Sequence, residues 1–181
     1  MTPAVIDEAA RAIFAHLCHQ QPERAWLVGG ELLPLCARCT GVYAGAAVAL
    51  LAVPFLPASR PRAAAAAVTL AVAQMIVLGV HLVPLGQPAW LRTLSGQVFA
   101  LGLVTLLALP LCPGHAAPQR RWPWFAFTAL AGIGALQAAL ACGPRVVATL
   151  IELLALVGVV ALPVAALAAL AVTLRRALRL G

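Results

Sequence analysis

From Val146 to Leu174 only one side chain, that of Glu152, carries a charge. A run so long and so apolar has one suitable environment. About 20 apolar residues cross the hydrocarbon core of a bilayer as a helix, because lipid offers no partner to an unpaired backbone N–H or C=O. The same signal recurs along the chain, and five spans are expected, at about 40–56, 63–83, 94–111, 124–141 and 146–174. The first is short and ends near Pro54. The last is long enough to tilt, with a kink expected at Pro163. The breaks carry turn chemistry: Pro57 with Pro61, Pro84 to Pro88, Pro113 to Pro118, and Gly143-Pro144. Composition agrees, at 64% hydrophobic and 9% charged, where a soluble domain is about half apolar and about a quarter charged. The fold class is an all-α polytopic membrane helix bundle whose partner is the lipid bilayer. No internal repeat stands out, and no feature specifies a protein partner or an oligomeric state.

The net charge is +7, with every cation an arginine. Nucleic-acid binding needs a basic face on a soluble domain; here the arginines separate apolar runs, and nucleic acid is not expected as a partner. They read instead as topology signals. Arg60, Arg62, Arg120, Arg121, Arg175, Arg176 and Arg179 fall on one side of a five-span chain; Arg92 and Arg145, with Arg11, Arg24 and Arg38, fall on the other. Positive loops stay in the cytoplasm. The C-terminus is therefore expected inside and the N-terminal segment outside, in a bacterial cytoplasmic (inner) membrane. Asp7, Glu8 and Arg11 interrupt the first apolar stretch, so it lacks the h-region of a cleavable signal peptide.

Two parts are expected: residues 1–39, an amphipathic helix with a Cys/His module, and residues 40–181, the helix bundle. The helix covers about 3–18, with Ile6, Ala10, Ile13 and Leu17 on one stripe. It is too polar to span, and would anchor at the interface or cap the bundle.

The module carries the chemistry. Cys36-Ala37-Arg38-Cys39 is a C-x-x-C, a spacing that closes a tight turn around a metal ion or forms a redox-active disulfide. Cys18-His19 upstream completes a Cys3His set suited to tetrahedral zinc or another transition metal. Adjacent residues seldom both ligate one ion, so His16, one helical turn before His19, competes as fourth ligand. A loop with Pro22, Gly29, Gly30 and Pro34 lets the two halves meet. His81, at the outer end of the second span, and Cys142, between spans four and five, would face the same side. Cys112 and His115 fall on the opposite face, and Cys112 is given no role. In the redox alternative Cys36 and Cys39 cycle as a membrane thiol–disulfide oxidoreductase, with Cys18 or Cys142 as a further thiol; Arg38 and the following helix N-terminus favour thiolate. In a third reading the cysteines are structural only.

Polar residues lie within the spans. At 1.5 Å per residue, Glu152, Gln137, Gln97 and Gln74 come out about 9, 7, 5 and 13 Å below the outer ends of their helices. Such groups hold helices together by hydrogen bonds or line a polar path. Glu152 shares a helix face with Arg145. Gly41 and Gly45 form a G-x-x-x-G that permits close helix approach, and Tyr43 between them suits an interfacial position or a cap on the module.

Cys18-His19-Gln20, Pro22-Glu23-Arg24 and the run from Leu33 to Gly45, with Leu91-Arg92-Thr93-Leu94-Ser95-Gly96 as a weaker echo, resemble the signature of an uncharacterised bacterial membrane-protein family, a domain of unknown function. The resemblance implies a small multi-span membrane protein without an established activity. The chain departs from the pattern at Arg24-Ala25-Trp26, where family members often have Arg-Ser-Phe, and in the second span, where Gln74 and His81 stand and the family often has an acid.

Overall fold

The computed structural model describes residues 3–56, 87–111 and 122–179. The expected span at 63–83, with Gln74 and His81, lies outside them, as do Cys112 and His115. The described elements are α1 (Pro3–Ala15), a 3-10 turn at Pro22–Arg24, β1 (Ala25–Val28), β2 (Glu31–Cys36), α2 (Ala37–Leu50), a second 3-10 turn at Val53–Phe55, α3 (Ala89–Ala108), α4 (Trp122–Cys142) and α5 (Arg145–Leu178).

Three of these helices are long and apolar enough to cross a membrane: Ala89–Ala108, the Pro123–Cys142 part of α4, and Arg145–Leu178. They correspond to the expected third, fourth and fifth spans. Helix α5 continues through Pro163 for 34 residues, about 51 Å at the helical rise. That exceeds the roughly 30 Å hydrocarbon core, so the helix must tilt or project beyond it.

Over the first expected span, 40–56, the regular helix is shorter than expected. Helix α2 starts at Ala37 and ends at Leu50, 14 residues in all, about 21 Å. It stops because Pro54 lacks the N–H that would continue the ladder, and the chain tightens into the 3-10 turn. Helix α2 is an inner helix. Ala37, Thr40, Gly41, Ala44, Gly45, Ala46, Ala47 and Ala49 are buried, and this run of small residues lets its neighbours approach to backbone contact. A Cβ at Gly41 would overlap the Thr93 backbone of α3; one at Gly96 of α3 would overlap the Arg38 carbonyl of α2. On another side, Gly158 of α5 sits against the Tyr43 carbonyl.

The segment before α2 is a β-hairpin, where only a loop was expected. Gly29 and Gly30 have φ of 58° and 85°, and Val28 pairs with Glu31. Positive φ at both central residues is what a two-residue type I′ turn requires. Pro34 is tolerated in β2 because each strand of a two-stranded sheet has an open edge. The hairpin leans on the head of α5: Gly29 packs on the Pro144–Arg145 backbone, and Arg145 Nη2 meets Glu31 Oε1 at 2.6 Å. Arg145 thus pairs with the hairpin.

Helix α1 ends three residues earlier than expected, and its buried face is rotated. Ala10 and Phe14 are fully buried and Cys18 nearly so, whereas Ile13 and Leu17 are 45% and 43% exposed. The helix docks on protein: Arg11 Nη2 donates to the Leu32 carbonyl of β2 at 3.0 Å. It therefore caps the bundle through the face that leads to Cys18. Ala10, Phe14, Cys18, Val28, Leu33 and Leu35 join Ala44, Leu136, Leu140, Ala148, Ile151 and Ala155 in one apolar core, with Cys36, Cys39 and Tyr43 packed against it.

Candidate metal centre

Three elements each contribute a sulfur. Cys18 follows α1, where the Leu17 and Cys18 N–H groups both donate to the Phe14 carbonyl, at 2.9 and 2.8 Å. Cys36 ends β2 and forms the N-cap of α2, and Cys39 stands in the first turn of α2. The strand-to-helix corner is held by the Thr40 hydroxyl, which donates to the Cys36 carbonyl at 3.2 Å. The Sγ atoms of Cys18, Cys36 and Cys39 all lie within 4.8 Å of one another. Tetrahedral zinc with sulfurs at about 2.3 Å sets neighbouring sulfurs about 3.8 Å apart, so contraction by about 1 Å closes the set on an ion.

The Cys18 sulfur is prepared as an acceptor. It receives the backbone N–H of Gln20 at 3.5 Å and that of Cys36 at 3.4 Å. Gln20 adopts φ 48°, a left-handed conformation uncommon outside glycine. Its side-chain Nε2 donates to the Arg11 carbonyl at 2.9 Å, tying the turn back onto α1.

The Cys36 thiol is held well below the ordinary thiol range. The Cys39 side chain hydrogen-bonds to it, and that bond, against the opposing effect of burial, brings Cys36 from 9.0 down to about 5. The backbone N–H groups of Cys39 and Arg38 and the Cys18 side chain add to the lowering. The thiol is thus anionic above about pH 5 and protonated below it. In metal-free protein, alkylation of Cys36 by iodoacetamide, followed by peptide mass spectrometry, should hold a constant rate from pH 6 to pH 9. An ordinary thiol, with its pKa near 8.5, climbs about ten-fold per unit up to about pH 8 before levelling, and such a climb at Cys36 would contradict the geometry described.

Other expected participants are placed elsewhere. His16 and His19 are exposed and stand outside the thiol set; the turn through Gln20 commits the Cys18 sulfur to the core and leaves the next side chain in solvent. Cys142 is an exposed free thiol at the end of α4 and is likewise not in the set. The cysteines among the described residues are all unbridged. Arg24 and Arg38 are exposed, Arg92 and Tyr43 half-buried. Gln97 and Gln137 meet: Gln137 Nε2 donates to Gln97 Oε1 at 3.0 Å and to the Trp90 carbonyl at 3.1 Å, and Gln97 Nε2 donates to the Ile133 carbonyl at 3.3 Å. These amides join α3 to α4. Sequence reasoning missed Trp26, whose indole donates to Thr93 Oγ1 at 2.6 Å and so ties the hairpin to the head of α3. Glu152 is buried on α5.

Residues 18–106 match the model of a family described as "Predicted membrane protein (DUF2085)". The matched region contains all three clustered cysteines. It supports an uncharacterised membrane-protein domain family, in agreement with the apolar helices. An uncharacterized protein of Methanocaldococcus jannaschii is 38% identical over 45 residues, 25% of this chain and 29% of that protein. One from Methanothermobacter thermautotrophicus is 48% identical over 33 residues, 18% of this chain and 30% of that protein. The chain thus covers under a third of either relative. Both relatives are archaeal, whereas the sequence resemblance named a bacterial family. No solved structure matches the chain.

Proposed function

We propose that this protein is an integral membrane protein whose N-terminal module holds one transition-metal ion, zinc by preference, at Cys18, Cys36 and Cys39. The observation that carries this reading is the convergence of three sulfurs from three separate elements within 4.8 Å. A C-x-x-C oxidoreductase needs two sulfurs and an open approach for its partner; here a third sulfur, Cys18, is 8% exposed and faces the other two. The ion's role is structural. One ion would bind the tail of α1, the end of β2 and the head of α2 together, fastening the hairpin to the inner helix. Zinc sites of this closed kind contribute folding energy directly. The test is the metal content of purified protein and of its Cys→Ser variants. Protein that carries no metal and has formed a disulfide within the set supports the redox alternative.

We place the module on the outer face of a cytoplasmic membrane, on the arginines that crowd the opposite end. Cys142 is exposed and lies beside the module end of α5. A membrane-impermeant maleimide should therefore label Cys142 in intact cells expressing the protein. Labelling only after the membrane is opened reverses the orientation.

A further inference from the structure

We infer that Thr93, near the head of α3, is a positioning residue for the three-sulfur site: its hydroxyl, held by the Trp26 indole, fixes the peptide that follows Ala37 inside the C-x-x-C. The inference rests on the metal reading above. Thr93 is fully buried. Its hydroxyl oxygen accepts the Trp26 indole N–H at 2.6 Å and lies 3.0 Å from two carbonyls, that of Ala37 in α2 and that of Ala89 in its own helix. A hydroxyl has one proton to give, and here the two carbonyls share it, as in the three-centre bonds common at helix ends. Three elements, β1, α2 and α3, thus meet on one oxygen.

The Ala37 carbonyl and the Arg38 N–H belong to one planar peptide unit, and in the trans form they point in opposite directions. A hydroxyl that holds the carbonyl therefore also sets the direction of the N–H. That N–H hydrogen-bonds Cys36. The path runs from the Trp26 indole through Thr93 and one rigid peptide to a sulfur of the set. The rest of the corner is fastened in the same way: the Cys36 carbonyl accepts from the Thr40 hydroxyl at 3.2 Å, and the Cys36 N–H donates to Cys18 Sγ at 3.4 Å. Thr93 differs in coming from another helix, so it is the link that ties the sulfur site to α3. Trp26 is turned toward it by local structure. The pairing of β1 with β2 is irregular between Ala25 and Leu27, and such irregularities re-aim a side chain. The Trp26 ring packs against the apolar core on which Cys36 and Cys39 also rest. Outer partners that orient metal ligands are worth about 10–100-fold in affinity.

The test uses the full-length protein in detergent, loaded with zinc or with cobalt. Thr93→Val keeps the shape and removes the hydroxyl. It should weaken zinc, in competition with a chromophoric chelator, by about ten-fold or more, and should shift the cobalt ligand-field bands. Thr93→Ser, which restores the hydroxyl, should return both to the wild-type values. Trp26→Phe should weaken zinc in the wild-type background and change nothing further in Thr93→Val, because the indole acts through the hydroxyl. Thr105→Val is the control for lost stability alone. Thr105 is equally buried on α3, and its hydroxyl donates to the Leu101 carbonyl at 2.7 Å, away from the module; its removal should leave affinity and bands unchanged. The inference is overturned if wild-type protein binds zinc while Thr93→Val keeps wild-type affinity and bands, or if Thr105→Val weakens zinc as much. Should Thr93→Val fail to fold, Trp26→Phe decides, and unchanged affinity and bands there overturn the inference. A wild-type protein that takes up neither metal overturns the three-sulfur reading itself, and this inference with it.

Discussion

Replacing Gly96 with leucine should prevent the bundle from assembling. A Cβ there overlaps the Arg38 carbonyl and lies 2.8 Å from the Val42 nitrogen and 3.0 Å from the Gly41 carbonyl carbon. These are backbone atoms of α2, which cannot rotate out of the way as a side chain can. Helix α3 would have to leave α2, and Gly41 makes the reciprocal demand against Thr93. Overpacking by a few methylenes costs about 1–3 kcal/mol where side chains can adjust. Where only backbone can yield, the cost should approach the about 5–15 kcal/mol that holds a typical protein folded. In lipid, small-residue contacts and interhelical hydrogen bonds are the main attractions between helices, so little compensates their loss. The readout is the monodisperse fraction in detergent and its unfolding midpoint. Arg145→Ala is the control. Its pair with Glu31 is 75% and 37% exposed, so its removal should change stability by about 1 kcal/mol at most. A Gly96→Leu protein that melts with the wild type would refute the close packing of α2 and α3.

Changing any one of Cys18, Cys36 or Cys39 to serine should remove the bound metal. Serine's hydroxyl stays protonated near neutral pH and is a far weaker zinc ligand than thiolate. The three positions should be equivalent, although Cys18 lies far from the C-x-x-C in sequence and only Cys36 and Cys39 form a recognisable motif. Cys142→Ser, outside the set, should retain the metal. The loss should also loosen the hairpin, read as faster amide exchange over 25–36, since the proposed ion would link it to α1 and α2. Full metal content in Cys18→Ser would reduce the site to the C-x-x-C and remove the reason for preferring metal over redox exchange.

Much of this architecture was legible in the residues, for a physical reason. Lipid admits few backbone structures, so apolar length and proline–glycine breaks suffice to place helices. Pro88 and Gly143-Pro144 stand immediately before helix starts at Ala89 and Arg145. What was not legible depends on neighbours. Helix α2 was expected to run to residue 56 because the sequence stays apolar; its status as a short inner helix follows from partners on α3 and α5 that only folding brings. The hairpin carried a signal, Gly29-Gly30 between Trp26-Leu27-Val28 and Glu31-Leu32-Leu33, which Pro34 obscured. On α1 the expected stripe includes Ile13 and Leu17, and docking instead buries Phe14 and Cys18. That choice decides the site. It turns Cys18 toward Cys36 and Cys39 and leaves His19 outside, so the expected Cys3His set becomes a three-sulfur set.

The most direct measurement is the metal content of full-length protein, purified in detergent without added metal or reductant, with free thiols counted on the same sample. The account predicts about one zinc per chain. X-ray absorption should place three sulfurs at about 2.3 Å, and Cys18, Cys36 and Cys39 should become reactive only after chelation. Protein without metal, with two of these three thiols missing from the count, would contradict it and assign the module to disulfide exchange.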